Sequence, residues 1–130
     1  MRTDTPQTIF RKDYTPPSYL VDTVELGFDL DPARTVVASR LTLRRNPAAT
    51  TRGIELHGED IELVALRLNG KLLGKRDYTL ANNLLTIRSA PDDVVLEIET
   101  LCAPDKNTTL SGLYVSNGNF FTQCEAEGFR

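Results

Sequence analysis

The 130-residue chain has no tryptophan, one methionine, one histidine and two cysteines. Each scarcity closes off a class of chemistry. A catalytic zinc usually takes three protein ligands, often from H-E-x-x-H on a helix. The single histidine, His57, lies in a short strand-like stretch and does not supply such a set, so it reads as a surface or edge-strand residue. Cys102 and Cys124 form no C-x-x-C pair, and two thiols alone make no zinc site. They read as reduced, partly buried thiols, and Cys124 has no neighbouring histidine to activate it as a nucleophile. There is no G-x-S-x-G elbow, no G-x-G-x-x-G and no Walker loop, which removes the common serine hydrolases and nucleotide folds. The segment from Met1 to Phe10 is polar, so neither a signal peptide nor a membrane span is expected, and a cytoplasmic location is the default. Without a secretion signal, the glycosylation-like Asn107-Thr108-Thr109 carries no weight as an acceptor. Net charge is −3 and the pI is about 5.1, with no basic stripe for nucleic acid. The short cluster Arg40, Arg44 and Arg45 reads as a solvated strand face.

No window of helical length carries a 3.6-residue apolar stripe. What the chain has instead is short alternation punctuated by turn residues, the mark of strands. Val24, Leu26, Phe28 and Leu30 alternate with Thr23, Glu25, Gly27 and Asp29, which predicts a half-buried strand. Asp31-Pro32-Ala33-Arg34 then reads as a turn, and Thr35 to Arg44 returns with Val37, Leu41 and Leu43 on one face, closing a long hairpin. Pro47 to Arg52 is a loop and Gly53 to His57 a short strand. Between Ile61 and Leu68 the parity slips, because Ile61 and Leu63 fall on one phase and Val64, Leu66 and Leu68 on the other. That predicts a β-bulge near Leu63. Asn69-Gly70 is a strong hairpin signal and Asn82-Asn83 a weaker one. Val94, Leu96 and Ile98 mark another strand. A polar loop covers Ala103 to Thr109, and Leu113–Val115 and Phe120–Thr122 flank a turn at Ser116-Asn117-Gly118-Asn119. The expected fold is all-β and antiparallel, a sandwich or strongly curved sheets. Residues 1–130 read as one β-domain. Residues 1–19, with Pro6, Pro16 and Pro17, read as an extended arm docked by Tyr14 and Tyr19.

The last residues differ in kind. Phe120 to Arg130 packs apolar, amide and acid groups together and stops on Phe129-Arg130, which reads as a truncation. Taken as bare polar groups, Gln123 and Glu125 are ordinary strand-end residues. Glu125 and Glu127 would share a face of an extended strand, but nothing else suggests a glycosidase carboxylate pair.

Residues 122 to 130, Thr-Gln-Cys-Glu-Ala-Glu-Gly-Phe-Arg, resemble the signature of the bacterial branch of the aminopeptidase N family of zinc metallopeptidases. Asn107-Thr108-Thr109-Leu110 with Gly112-Leu113-Tyr114 is similar to the same branch. So are Asp13-Tyr14 with Pro17 and Tyr19, Leu30-Asp31 with Thr35-Val36-Val37, and Gly58-Glu59-Asp60. The resemblance implies a β-rich, saddle-like N-terminal domain packed on a thermolysin-like catalytic domain. It implies that Glu125 binds the free α-amine of a peptide substrate and that Gln123 helps line the pocket for its first residue. It also implies a cis peptide between Glu125 and Ala126. Cys124, Ala126, Gly128 and Phe129 would support the turn, and Arg130 would pair with an acid of the catalytic domain. The family's Gly-Ala-Met-Glu-Asn loop, H-E-x-x-H helix and distal glutamate ligand are absent. The zinc would therefore belong to a parent enzyme, and this chain alone would hydrolyse nothing. Relatives that also hydrolyse leukotriene epoxides carry glutamine where this chain has Glu125, so the acid favours a plain aminopeptidase. An unpaired edge near residues 113–130 is expected to seek a partner, including a second copy in an edge-mediated dimer. The reading from another class is a self-contained β-sandwich module that binds a protein or a glycan, although 7% aromatics without tryptophan do not favour a sugar platform.

Overall fold

The structure, a computed structural model, describes Thr8 and residues 10–125. Within them the chain forms ten strands: β1 (Tyr19–Asp29), β2 (Thr35–Arg45), β3 (Ile54–His57), β4 (Glu62–Leu68), β5 (Lys71–Leu72), β6 (Thr79–Ala81), β7 (Leu84–Ile87), β8 (Asp93–Cys102), β9 (Gly112–Ser116) and β10 (Asn119–Gln123). Two single-turn 3-10 helices, Arg11–Asp13 and Pro104–Lys106, complete the elements. All pairings are antiparallel. They build a five-stranded sheet ordered β1-β2-β8-β4-β5, a three-stranded sheet ordered β3-β7-β6, and a two-stranded ribbon of β9 and β10. The all-β, antiparallel expectation holds.

Local chemistry fixes the turns. Asn69 and Gly70, Asn82 and Asn83, and Asn117 and Gly118 all take positive φ. A residue pair in that region makes the turn whose twist matches its flanking strands, and asparagine and glycine reach it at low cost. At the β1–β2 turn, the Asp31 carboxylate accepts the N–H groups of Ala33 and Arg34, each at 2.9 Å.

Curvature comes from two bulges. β4 breaks register between Leu63 and Ala65, with Val64 extra, as the parity slip predicts. β1 breaks between Val21 and Thr23, with Asp22 extra. These strands flank the β2–β8 pair, which runs from Thr35–Cys102 to Arg44–Asp93 without a break. A bulge raises local twist, so the five-stranded sheet bends on both sides of a regular centre.

The core lies at one end of this sheet. Leu43, Leu66, Val94 and Leu96 face Ile54, Leu85 and Ile87 of the three-stranded sheet, with Tyr19 and Ala90 closing the rim. Leu96 is 0% exposed and Leu66 2%; each such leucine stabilises the fold by about 1.5–3 kcal/mol relative to an exposed one. The Tyr19 hydroxyl donates to the Ala90 carbonyl at 2.8 Å, with the Pro91 and Arg52 carbonyls at 2.9 and 3.3 Å. Asn46, also buried, donates its amide to the Pro17 carbonyl at 2.8 Å and fastens the segment before β1.

Three expectations need correction. The strand carrying Val24, Leu26, Phe28 and Leu30 is not half-buried, since these side chains are 46–54% exposed. Their register partners Leu41, Ser39 and Val37 place them on the core-facing side of the sheet, but the three-stranded sheet covers only its other end. Tyr14 does not dock the arm; it is 73% exposed, and Tyr19 and Asn46 hold this region instead. The three arginines do not share one face. Arg40 and Arg44 alternate on the outer side and are exposed, and Arg44 pairs with Asp22 at 2.9 Å. Arg45, an odd residue, turns to the side of Tyr19, where its Nη1 is buried with no partner among the described residues.

Candidate functional site

The ribbon that carries Gln123 starts at a fixed corner. Leu110 and Gly112 take φ of 55° and 74°, and a left-handed leucine is a costly conformation that its surroundings must hold. Asn107 holds it. Its Nδ2 donates to the Ser111 carbonyl at 2.7 Å and to the Leu113 carbonyl at 2.8 Å, and its Oδ1 accepts the Thr109 hydroxyl at 2.9 Å. The Asn107-Thr108-Thr109 triplet is thus the clamp that launches β9.

Register sorts the ribbon into two faces. Phe121 pairs with Tyr114 and Gln123 with Gly112, so Tyr114, Phe121 and Gln123 share one face. Phe120 and Val115 occupy the other and are half-buried. Tyr114 and Phe121 stack with ring centroids 5.6 Å apart and planes at 21°. Gly112 sets no side chain opposite Gln123. Sequence reasoning passed over the aromatic pair, although the Asn117-Gly118 turn fixes the register that would have revealed it.

The structure places both sequence-predicted site residues at the open end of this ribbon. Gln123 ends β10 and Glu125 lies in the turn after it, both exposed. They are coupled: the Glu125 backbone N–H donates to Gln123 Oε1 at 2.9 Å. A backbone donor demands the amide oxygen, which orients the side chain and leaves Nε2 as its donor. Among the described residues no cation pairs with the Glu125 carboxylate. Cys124, between them, is an exposed free thiol rather than a partly buried one. The expected cis bond to Ala126, and the expected roles of Ala126, Glu127, Gly128, Phe129 and Arg130, fall outside the described residues.

The other candidates lie apart from this end. His57 is exposed at the end of β3, the edge of its sheet. Among the described residues no three His, Cys, Asp or Glu side chains gather as a metal-binding group. Cys102, half-buried beside Thr35 on the neighbouring strand, has its thiol pKa raised by burial, which opposes thiolate formation. The outer side of the five-stranded sheet forms a shallow concavity crossed by the row Glu25, Arg40, Glu97 and Arg67. Its two acids and two bases alternate, so the row is compensated within itself. Among the described residues no helix is long and apolar enough to cross a membrane.

Comparison with known proteins agrees with the resemblance seen in the sequence. The chain is 44% identical over 130 residues to aminopeptidase N of Caulobacter vibrioides, covering 100% of this chain and 15% of that protein. It is 37% identical over 128 residues to aminopeptidase N of Escherichia coli strain K12, covering 98% and 14%. For aminopeptidase N of Haemophilus influenzae the identity is 38% over 125 residues, covering 93% and 14%. The crystal structure of Legionella pneumophila aminopeptidase A in complex with aspartic acid superposes with a TM-score of 0.79 at 32% identity, over 90% of this chain and 14% of that one. No protein-family model matches the chain. The chain spans about 15% of the length of the curated relatives it matches. Over its whole length the chain is therefore related to aminopeptidase N, and it is consistent with an N-terminal domain of that protein.

Proposed function

We propose that this chain is the substrate-recognising N-terminal domain of a cytoplasmic zinc aminopeptidase, and that it supplies the anchor for the free α-amine of a peptide. The observation that carries the reading is the coupled pair at the end of β10. Glu125 is an exposed carboxylate without a cation partner among the described residues, and its backbone is tied to Gln123. A fixed carboxylate accepts a charge-assisted hydrogen bond from a protonated amine. It thereby measures one residue from the chain end and rejects a blocked terminus. Gln123 then serves twice: Oε1 holds the turn, and Nε2 is left to donate toward the first residue of the substrate.

The zinc does not fit on this chain's described residues, because no group of ligating side chains gathers there; in this reading the metal belongs to the remainder of the parent enzyme. Packing of that remainder against this domain is supported by the half-exposed stripe of Val24, Leu26, Phe28 and Leu30. The rival reading, a glycan-binding module, would draw on Tyr114 and Phe121. Those rings stack on each other rather than lying side by side as a flat platform.

The test is Glu125→Ala in the full-length enzyme, assayed on substrates with a free amine. A charge-assisted bond of about 1.5–3 kcal/mol predicts a loss of kcat/KM of roughly ten- to a hundredfold. Activity at the wild-type level would reject the assignment.

A further inference from the structure

We infer that Asn117 is a site of spontaneous deamidation, and that the isoaspartate it yields unfastens the β9–β10 ribbon. The inference does not depend on the reading of Glu125.

The chain holds two Asn-Gly pairs, Asn69-Gly70 and Asn117-Gly118. Their backbones nearly coincide: φ is 49° and 80° in the first pair, 50° and 75° in the second. Both asparagines are exposed. At both glycines the space around a would-be Cβ is empty out to 4 Å, so neither pair is shielded there.

The asparagine side chains differ. Asn69 is clasped to β8: its Oδ1 accepts the Val95 N–H at 2.7 Å and its Nδ2 donates to the Asp93 carbonyl at 3.2 Å. Its backbone N–H donates to the Val95 carbonyl at 2.9 Å. The Asn117 side chain has no hydrogen-bond partner among the described residues; Asn119 Nδ2 engages its backbone carbonyl at 3.2 Å instead. The supports differ as well. β4 belongs to the five-stranded sheet, whereas β9 and β10 pair only with each other, and a two-stranded ribbon opens more readily than a strand inside a sheet.

The chemistry needs only water. The Gly118 backbone nitrogen attacks Asn117 Cγ. A C–N bond forms, the Cγ–Nδ2 bond breaks, and Nδ2 leaves as ammonia with the proton from the Gly118 nitrogen. Water then opens the resulting succinimide. Attack at Cγ restores the ordinary peptide as aspartate. Attack at the backbone carbonyl carbon leaves the chain running through Cβ and Cγ, as isoaspartate. At Asn69 the same rotation must first break both side-chain bonds to β8.

Isoaspartate puts one more carbon into the main chain of a two-residue turn. Loop length fixes hairpin pairing, so the change reaches every pair from Ser116–Asn119 to Gly112–Gln123. Aspartate keeps the chain length, and the turn accepts it as it accepts asparagine. The ribbon is therefore lost to the linkage and not to the new charge.

The experiment holds the full-length enzyme in warm, mildly alkaline buffer and maps its peptides by mass spectrometry. Protein-isoaspartate methyltransferase with labelled S-adenosylmethionine marks the isoaspartate. Acid should appear at residue 117 about tenfold or more faster than at residue 69, the factor expected from two side-chain hydrogen bonds. In urea, with both turns unfolded, the two rates should converge. Amide hydrogen exchange in β9 and β10 should quicken in the isoaspartate form and stay slow in Asn117→Asp. Comparable rates at the two sites in the folded enzyme, or a gap of the same size in urea, overturn the assignment of the site. Slow exchange in the isoaspartate form, or equally fast exchange in Asn117→Asp, overturns the unfastening.

Discussion

The side-chain oxygen of Gln123 accepts the backbone N–H of Glu125 at 2.9 Å, so the turn that carries Glu125 is held by the residue two places before it. A hydrogen bond of this kind contributes about 0.5–1.5 kcal/mol. Gln123→Ala in the full-length enzyme should therefore lower kcat/KM by about two- to tenfold and speed hydrogen exchange at the Glu125 amide. Gln123→Glu keeps an acceptor for that N–H and should keep the slow exchange. Equal exchange in all three proteins would show that the bond does not set the turn.

Asn107 makes a second, separable prediction. Its amide donates two bonds across the corner that starts β9, and both vanish in Asn107→Asp, which retains only acceptors. Amide protection should drop throughout β9 and β10 by about tenfold or more, at roughly 1 kcal/mol for each lost bond, while the β2–β8 amides stay protected. A uniform loss over both regions would mean that Asn107 supports the whole fold rather than the corner.

Tyr19 makes the third. Burial raises its pKa above 10.0; Asp92 pushes the same way, while Arg45 and Arg52 oppose. The folded state thus keeps the phenol proton where the unfolded chain has begun to lose it. The resulting stability is fully present below about pH 10 and falls as pH rises through the folded value. Urea midpoints should drop above pH 10, and Tyr19→Phe should remove that part of the drop. Tyr19→Phe should also cost about 1–3 kcal/mol at neutral pH by leaving the Ala90 and Pro91 carbonyls without their donor. The same alkaline slope in both proteins would sink the assignment to Tyr19.

What the sequence disclosed and what it hid follow from range. The turns at Asn69-Gly70, Asn82-Asn83 and Asn117-Gly118 were legible because backbone preference decides them within two residues. The Val64 bulge was legible because the leucines on either side of it are apolar and betray the slip. The Asp22 bulge was not, since Val21 and Val24 differ in phase but no longer run records it. Nor was the exposure of Val24, Leu26 and Phe28. Alternation tells which side of a strand is apolar, never whether another layer reaches it. At the site, the resemblance named Gln123 and Glu125, whereas the hydrogen bond between them and the aromatic pair beside them appear only once register and turn geometry are in place.

Val64 has one more consequence. Because it stands outside the pairing, β4 consists of two short reading frames spliced at that residue: Leu63 and Leu66 both face inward although their spacing is odd. Deleting Val64 alone would join the frames into one regular strand, with Leu63, Ala65 and Leu66 still opposite Thr100, Glu99 and Ile98 and all three leucines still inward. What the deletion removes is the local twist that the extra residue adds. The bulge thus shapes the edge of the sheet without deciding which leucines the core receives.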